Sequence, residues 1–467
     1  MTKQKHTKAV DAASNAEELL PLEQMMSQGS ASNEGAAHAV DDINQVNDSA
    51  HQGAEDESAA LVSKLRFADF ALNSQQSYEP LARVLRQSFS GGTPASNIDA
   101  YWNGDIHWAS TKDLTSNVLT TTADFITELG LRNSSSKLAK AGSILVGMHI
   151  GVGKVAIANI DVAINQDLRA LVPDLSRVDL WFLLYVLEAN AIRLESYGRG
   201  STVKGITQED LLQLPVPLLP LPEQQRIGAL FKELDNNIEL NRGLLEKLIQ
   251  LKKSMLEQMF PREGESVPRL RFAGFTEPWT VCKLGDLGQA ISGIAFPESA
   301  QGGVEGMPFF KVSDMNLEGN ESVMHYANNY VSYELVAKSK WKPIEGPAAI
   351  FVRDGAAVLL NRKRLILSKC LMDHHIMHYC LDESVWNPFF ALAIFEGIDL
   401  TALVRTSVTP SYGAVEVEAI VVKVPNLAEQ QRIGAFFKAL DQRIAQQRAK
   451  LEKLGQLKKA LLEQMFV

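Results

Sequence analysis

The sequence predicts an α+β protein: two mixed α/β domains in a pseudo-twofold arrangement, separated by two long antiparallel coiled-coil helices. Three observations predict it. The first is a repeat. Glu223-Gln224-Gln225-Arg226-Ile227-Gly228-Ala229 opens a helical run ending in Leu256-Glu257-Gln258-Met259-Phe260, and 206 residues later Glu429-Gln430-Gln431-Arg432-Ile433-Gly434-Ala435 opens another ending in Leu462-Glu463-Gln464-Met465-Phe466. The runs align without a gap, with roughly two thirds of positions identical, and a period this long means a duplicated half-protein rather than a solenoid. The second is a shorter echo, Lys64-Leu65-Arg66-Phe67-Ala68-Asp69-Phe70 against Arg269-Leu270-Arg271-Phe272-Ala273-Gly274-Phe275, at almost the same offset. Whole halves were therefore duplicated.

The third observation is a seam along each repeated helix. At spacings alternating four and three, Ile227, Phe231, Leu234, Ile238, Asn241, Leu245, Leu248, Lys252, Met255 and Met259 fall on one line. The second copy gives Ile433, Phe437, Leu440, Ile444, Gln447, Leu451, Leu454, Lys458, Leu461 and Met465. Apolar residues at this period make a coiled-coil face. Both copies break it at the same places, Asn241/Gln447 and Lys252/Lys458. A polar seam position lowers stability but sets register and partner geometry. A helix that only buried a face on its own domain would not need matched breaks, so the two copies are expected to pair antiparallel. At ~1.5 Å per residue each spans on the order of 57 Å, longer than one turn of duplex DNA.

The elements follow in order. Residues 1–60 hold three Lys and no Arg against eleven Asp plus Glu, rich in Ala, Ser and Asn. Such a segment buries too little apolar surface to fold, apart from a short helix near Ala16–Met26. The domain starting at 61 and ending at 221 has strands at Ser143–Val146 and Lys154–Ala158 and a helix from Leu180 to Leu194. Pro215, Pro217, Pro220 and Pro222 make an extended, helix-free lead-in to the first spacer helix, 222–262. In the domain at 263–427, strands are expected at Ala348–Val352, Ala357–Leu360 and His375–Leu381. A helix from Asn387 to Phe395 has Asn387 as its cap and Pro388 at its first position. Val424-Pro425-Asn426 leads into the second spacer helix, 428–467. The central strands of the two domains show no common pattern.

Composition narrows the class. Of the formal charge of −9, the first 60 residues account for −8, so the rest is nearly neutral. No apolar stretch approaches the ~18 residues of a membrane helix. Cys282, Cys370 and Cys380 are too few and too irregular for a disulfide framework, which fits a reduced, cytoplasmic setting. Three enzyme-like signals fail on chemistry. Asn387-Pro388-Phe389-Phe390 is similar to the Asn-Pro-Pro-Phe motif of amino-methyltransferases, but it lacks the second proline and no glycine-rich cofactor loop precedes it. Gly147–Lys154 has the wrong glycine spacing for a phosphate loop, with Val155 where Ser/Thr is needed. Cys370, His374, His375, His378 and Cys380 are metal-type residues, but strand alternation sends His375 and His378 to opposite faces, so no metal site is expected.

The repeated block, its Leu-Lys-Lys and Glu-Gln-Met-Phe ending, and the proline-rich lead-in resemble the conserved regions of type I restriction–modification specificity subunits. So do Gly91-Gly92-Thr93-Pro94, Tyr101-Trp102, Trp108-Ala109-Ser110-Thr111-Lys112-Asp113-Leu114, Gly151-Val152-Gly153-Lys154 with Asn165-Gln166, Gly200-Ser201-Thr202-Val203-Lys204-Gly205-Ile206, and the half-start Val267-Pro268-Arg269-Leu270-Arg271-Phe272. The resemblance covers about 61–467. The second half departs from it, with Ser292-Gly293-Ile294-Ala295-Phe296-Pro297 for the Gly-Gly-Thr-Pro segment and Arg405-Thr406-Ser407 with Ser411-Tyr412-Gly413 before its helix. The resemblance implies a non-catalytic subunit that reads a bipartite, asymmetric DNA site through two target-recognition domains. It implies recruitment of two methyltransferase subunits, with restriction subunits able to join. It also implies no cofactor on this chain, S-adenosylmethionine and ATP belonging to the partners.

Readout needs donors and acceptors near base edges and cations or amides on phosphates. In the first domain the candidates are Thr93, Thr111, Lys112, His149, Lys154, Arg199, Ser201, Thr202 and Lys204, on glycine-rich turns. In the second they are Lys311, Ser313, Arg353, Arg362, Lys363, Arg364, Lys369, Arg405, Ser411 and Tyr412. Arg362-Lys363-Arg364, the densest basic cluster, would be a phosphate clamp or solvated charge at a hairpin tip. For helix pairing and partner docking the candidates are the seam residues from Ile227 to Leu248 and from Ile433 to Leu454. The competing class is a coiled-coil scaffold without sequence-specific DNA binding.

Overall fold

The computed structural model describes residues 65–67, 70, 77–196, 205–339, 341–405 and 410–466. The acidic segment with its expected short helix, and Arg199, Ser201, Thr202 and Lys204, lie outside the described residues. The chain forms two compact units, one taking in the described residues up to Leu240 and those from Glu452 on, the other Asn241–Leu451.

In the first unit, strand β1 (Ser77–Pro80) pairs antiparallel with the proline-rich lead-in strand described below. Strand β2 (Leu85–Ser90) precedes β3 (Trp102–Ala109), β4 (Val118–Leu119), β5 (Asp124–Ile126), β6 (Lys137–Ala139), β7 (Ile144–Gly147), β8 (Val155–Ala158), β9 (Val162–Ile164) and β10 (Leu168–Pro173). Helices α1 (Leu180–Ala189) and α2 (Ala191–Ser196) follow, and then strand β11 (Pro215–Leu218), the partner of β1. The central sheet has the order β2-β10-β7-β8-β4, and a second sheet the order β5-β3-β9-β6. The central strands are buried on both faces, which is why β7 and β8 read as unbroken apolar runs. Ile144 and Val146 pack with Phe182 and Tyr185 of α1, while Leu145 faces Ile164 and Ala109 on the other side.

The long helix α3 (Leu221–Gln258) leads to the second unit. There β12 (Thr280–Lys283), β13 (Ala290–Ser292), β14 (Met307–Phe310), β15 (Tyr330–Val331), β16 (Ala348–Val352), β17 (Lys363–Ile366), β18 (Leu371–Met372) and β19 (Ile376–Cys380) precede helix α4 (Pro388–Gly397), strand β20 (Val421–Val424) and helix α5 (Leu427–Phe466). The central order is β13-β19-β16-β17, with β15-β14-β18 as the second sheet and β12 paired to β20. The central order repeats β2-β10-β7-β8, so the strands do follow the first half although the residues do not.

The two helices pair antiparallel within each unit. In the first, Ile227, Phe231, Leu234 and Ile238 share a core with Leu454, Leu461, Met465 and Phe466. In the second, Met255 and Met259 share one with Ile433 and Phe437. The polar breaks find partners. Gln447 Nε2 donates to Asn241 Oδ1 at 2.8 Å. Lys252 Nζ lies 2.6 Å from Asp441 Oδ1 and 2.7 Å from Glu396 Oε2 of α4. Lys458 Nζ repeats this with Asp235 at 2.7 Å and Glu188 of α1 at 2.6 Å.

Three expected elements differ. Leu180–Leu194 is interrupted at Asn190, whose side-chain amide donates to the Val186 carbonyl and ends α1. Residues Ala356–Leu360 form a 3-10 turn, not a strand, because Gly355 enters at positive φ and Asn361 leaves in the left-handed region. The lead-in is strand β11, and Pro222 sits in the first turn of α3, where a missing N–H costs nothing.

Candidate nucleic-acid interface

The repeated Glu-Gln-Gln-Arg-Ile-Gly block is a joint that fastens each domain to its spacer helix. Glu223 and Glu429 are fully buried. Arg66 Nε donates to Glu223 at 2.8 Å, and Arg271 Nε to Glu429 at 2.7 Å, so the Leu-Arg-Phe echo and the helix block bind each other. Gln224 Oε1 accepts from the Asp179 backbone N–H at 2.9 Å, and its amide donates to the carbonyls of Leu219 and Arg177. Gln430 does the same with Asn387, Pro425 and Val385. Asp179 and Asn387 in turn cap α1 and α4, accepting from Phe182 N and Phe390 N. Thus Asn387-Pro388-Phe389-Phe390 is a capped helix start. A Cβ on Gly228 or Gly434 would meet Asp179 Oδ1 at 2.8 Å or Asn387 Oδ1 at 2.0 Å, so only glycine lets these helix starts seat.

The joint leaves the far end of each central sheet free to carry loops. In the first domain, four segments converge there. Gly92 N donates to Ile164 O, and Thr93 Oγ1 to Gln166 Oε1 at 2.6 Å. Met148 N donates to Asp167 O, and Ile206 N to Met148 O. His149 Nδ1 stands 3.7 Å from Asp167 Oδ1. Thr93, His149 and Lys154 are exposed on this edge. Next to it, the turn after β3 is shaped by Asp113, which accepts from Ser110 N at 2.8 Å and from Ala123 N, and Lys112 projects from this turn.

The second domain builds the same edge from other residues. Asp373 N donates to Phe310 O as Asn165 N does to Ala109 O; Arg353 N donates to His375 O as Met148 N does to Asp167 O; Tyr412 N donates to Arg353 O as Ile206 N does to Met148 O. Asp314 accepts from Lys311 N at 2.8 Å and from Asn328 N, repeating Asp113. On this edge Arg353 Nη1 donates to Ser292 Oγ at 2.8 Å, Arg405 pairs with Glu416, His374 with Asp373, and His375 with Asp354. Ser313 is exposed, and Ser411 is bridged to both Asp354 and Arg405.

Some candidates are corrected. Arg362-Lys363-Arg364 is no hairpin tip. It begins β17, and Lys363 is 3% exposed, its Nζ bonded to the Ile398 carbonyl at the end of α4. Burial pushes this ammonium down to about 8, against the opposing pull of Asp399 and Glu396. Arg364 is half-buried, donates to the Lys363 and Met315 carbonyls, and has its pKa lowered by burial. Arg362 bonds Asn316. Tyr412 is buried, its hydroxyl donating to Val352 O, and Thr111 is buried as well. Lys369 lies at the opposite end of β17, paired with Glu345. Sequence reasoning left out Gln166, Asp167, Asp354 and Asp113. Gln166 carried a signal as part of Asn165-Gln166, and Asp113 as part of Trp108–Leu114; Asp167 and Asp354 carried none. Cys370 and His378 are buried while His374 and His375 are exposed, which separates the metal-type residues. Among the described residues, His374 and His375 instead come together with Asp373, their ligand atoms all within 4.8 Å of one another.

A family model described as the type I restriction modification DNA specificity domain matches residues 85–250 and again 276–456. The MjaIX specificity subunit of Methanocaldococcus jannaschii is 23% identical over 396 residues, 80% of this chain and 89% of that one. The EcoR124I/EcoR124II specificity subunit of Escherichia coli is 27% identical over 176 residues, 36% of this chain and 43% of that one. Among solved structures, the S subunit of a type I restriction–modification system from M. genitalium superposes with a TM-score of 0.56 at 15% identity, covering 85% of this chain and 97% of that one.

Proposed function

We propose, from the premise that the chain belongs to the type I restriction–modification DNA specificity family, that each of its two domains reads one half of a bipartite, asymmetric DNA site. The chain is a DNA-specificity subunit. The observation that carries the two-half reading is a contrast. The joint that holds each domain is the same, bond for bond, in both halves. The loop edge that each domain presents differs, with Thr93 and Gln166 in one and Ser292, Arg353 and His374 in the other. Divergent donors and acceptors on a common backbone frame are what two different half-sites demand. Exposed Lys112 and Lys154 are suited to phosphates, which position the domain without reading sequence.

The family's specificity subunits are generally non-catalytic. Methyl transfer to adenine N6, with S-adenosylmethionine, and ATP-dependent work are assigned to two methyltransferase subunits and to restriction subunits, in the cytoplasm. No helix among the described residues is long and apolar enough to cross a membrane. Helices of the conserved type, on which partners dock, and variable domains divide recruitment from reading. A scaffold without DNA readout has no use for two unlike polar edges.

The test is to map N6-methyladenine in host DNA with and without the gene. A gapped motif lost on deletion is expected. Methylation unchanged by deletion, together with no salt-sensitive, sequence-selective binding by the purified methyltransferase complex, would overturn the reading.

A further inference from the structure

The backbone bonds set out above equate His149 with Asp354 and Asp167 with His375. Met148 and Arg353 each donate to the carbonyl of the residue entering the next strand, Asp167 and His375, and the side chains in question are the next residue along and that carbonyl's own residue. In both domains these two side chains meet: His149 Nδ1 is 3.7 Å from Asp167 Oδ1, and His375 Nδ1 is in contact with Asp354 Oδ1. The chemical pair is the same and its placement is exchanged. The first domain has its imidazole on the loop from β7 to β8 and its carboxylate on the turn into β10. The second has its carboxylate on the loop from β16 to β17 and its imidazole on the turn into β19.

The environment follows the chemistry, not the position. The imidazole is about half exposed in each domain, 51% and 47%, and the carboxylate mostly covered, 21% and 17%. A third segment closes on the same point. A Cβ on Gly205 would stand 2.8 Å from His149 Cδ2, and Ser411 is bridged to Asp354. Two halves whose loops share a backbone frame but few side chains both have this contact, with its ends exchanged. That outcome is expected where the contact itself is required, and not where either side chain serves alone.

We propose that His149–Asp167 and Asp354–His375 are one latch in two exchanged forms, which ties the loop after β7 or β16 to the turn before β10 or β19 and so positions the reading edge of each domain. The inference rests on the DNA-reading function above. These are positioning residues. The latch holds Gln166 beside Thr93 in the first domain, and His374 and Arg353 in the second, because Asp167, His375 and Asp354 are the chain neighbours of Gln166, His374 and Arg353. Around the second latch, Arg353 Nε lies 3.7 Å from Asp354, and the His374 ring is 3.9 Å from that of His375, so the first domain is the cleaner place to test it.

The experiment expresses the full chain with its methyltransferase subunits and maps N6-methyladenine for wild type, H149D, D167H and the exchange H149D/D167H. Coupled neighbours are read by such a cycle. Each single variant is expected to lower methylation of the sites about tenfold, or to relax only the half of the motif read by the first domain, and the exchange to restore it to within about threefold. The intact second half of the motif reports a folded, assembled chain. D354H, H375D and their exchange should act on the other half alone. An exchange no better than the worse single variant would mean that each side chain acts by itself, and it overturns the latch even if the singles fail to fold. Singles at wild-type occupancy overturn it too. A wild-type chain that leaves no gapped motif would instead defeat the DNA-reading premise, a result distinct from both.

Discussion

Replacing Lys252 with methionine tests how α3 is held to α5 and α4. The Lys252 side chain is 16% exposed and bonded to both Glu396 and Asp441. Burial alone would push its ammonium pKa down; the two carboxylates outweigh burial and hold it above the ordinary lysine value. K252M keeps the apolar stem and deletes the charge, leaving two carboxylates side by side and largely covered. Breaking a buried pair by removing one partner costs about 3–5 kcal/mol. In a unit of this size that corresponds to a midpoint lower by about 6–20 °C. The pH dependence has a definite sign. Lys252, with its folded pKa raised, contributes fully below the unfolded value and loses its contribution only as pH climbs through the folded one, so wild type gains nothing from it by acidification between pH 8 and 5. Burial pushes Glu396 above the usual carboxylate range, and Lys252 opposes that shift. Without the lysine, Glu396 takes up a proton more readily as pH falls, so the deficit of K252M should shrink from pH 8 to pH 5. Scanning calorimetry of the full chain at both values measures this. The reasoning fails if the deficit at pH 8 is under about 1 kcal/mol, or if it grows on acidification. K252M/E396Q should recover most of the loss.

Other outcomes follow from the same contacts. Q447L, which removes the buried bond to Asn241, should cost about 1–3 kcal/mol in urea unfolding, whereas N241L/Q447L should match or exceed wild type. G434A should lower stability by about 1–3 kcal/mol, because its Cβ displaces the Asn387 cap, and an unchanged thermal midpoint would contradict the joint. Burial pushes the imidazole of His378, whose Nδ1 has no hydrogen-bond partner among the described residues, down to about 4. The unfolded chain binds that proton near pH 6.5, so the stability from keeping His378 neutral is present above 6.5 and lost as pH falls toward 4, by about 3 kcal/mol; H378F should flatten this limb in an acid-unfolding series. Inserting one heptad into α3 adds ~10.5 Å of helix, about three base-pair steps, and should change the gap between half-sites if helix length sets it; an unaltered gap defeats that idea.

The duplicated frame was legible because it is a one-dimensional property. The seam from Ile227 to Met259, its breaks at Asn241 and Lys252, and their copies at Gln447 and Lys458 need only counting along the chain. So does the capped start at Asn387-Pro388, since cap chemistry is local. The strand at Ala357–Leu360 was misread because an apolar run does not report φ, and Gly355 and Asn361 turn it into a 3-10 bend.

What the polar residues do was not legible. Glu223 and Gln224 look like the solvated start of a helix, yet they are buried because Arg66 and the Asp179 amide, distant in sequence, come to them. Lys363 looks like part of a basic surface cluster, but its place at the start of β17, the edge strand of the main sheet, sends its amine inward to the Ile398 carbonyl. The likeness of the two domains was hidden because side chains had diverged while strand order and loop hydrogen bonds had not. Periodicity and caps act between residues a few positions apart, so the chain itself carried the duplication, the paired helices and their register. Burial and partner choice depend on what arrives from far away, so the tertiary structure alone decided which charges are joints, which are core, and which are left on an edge to meet a ligand.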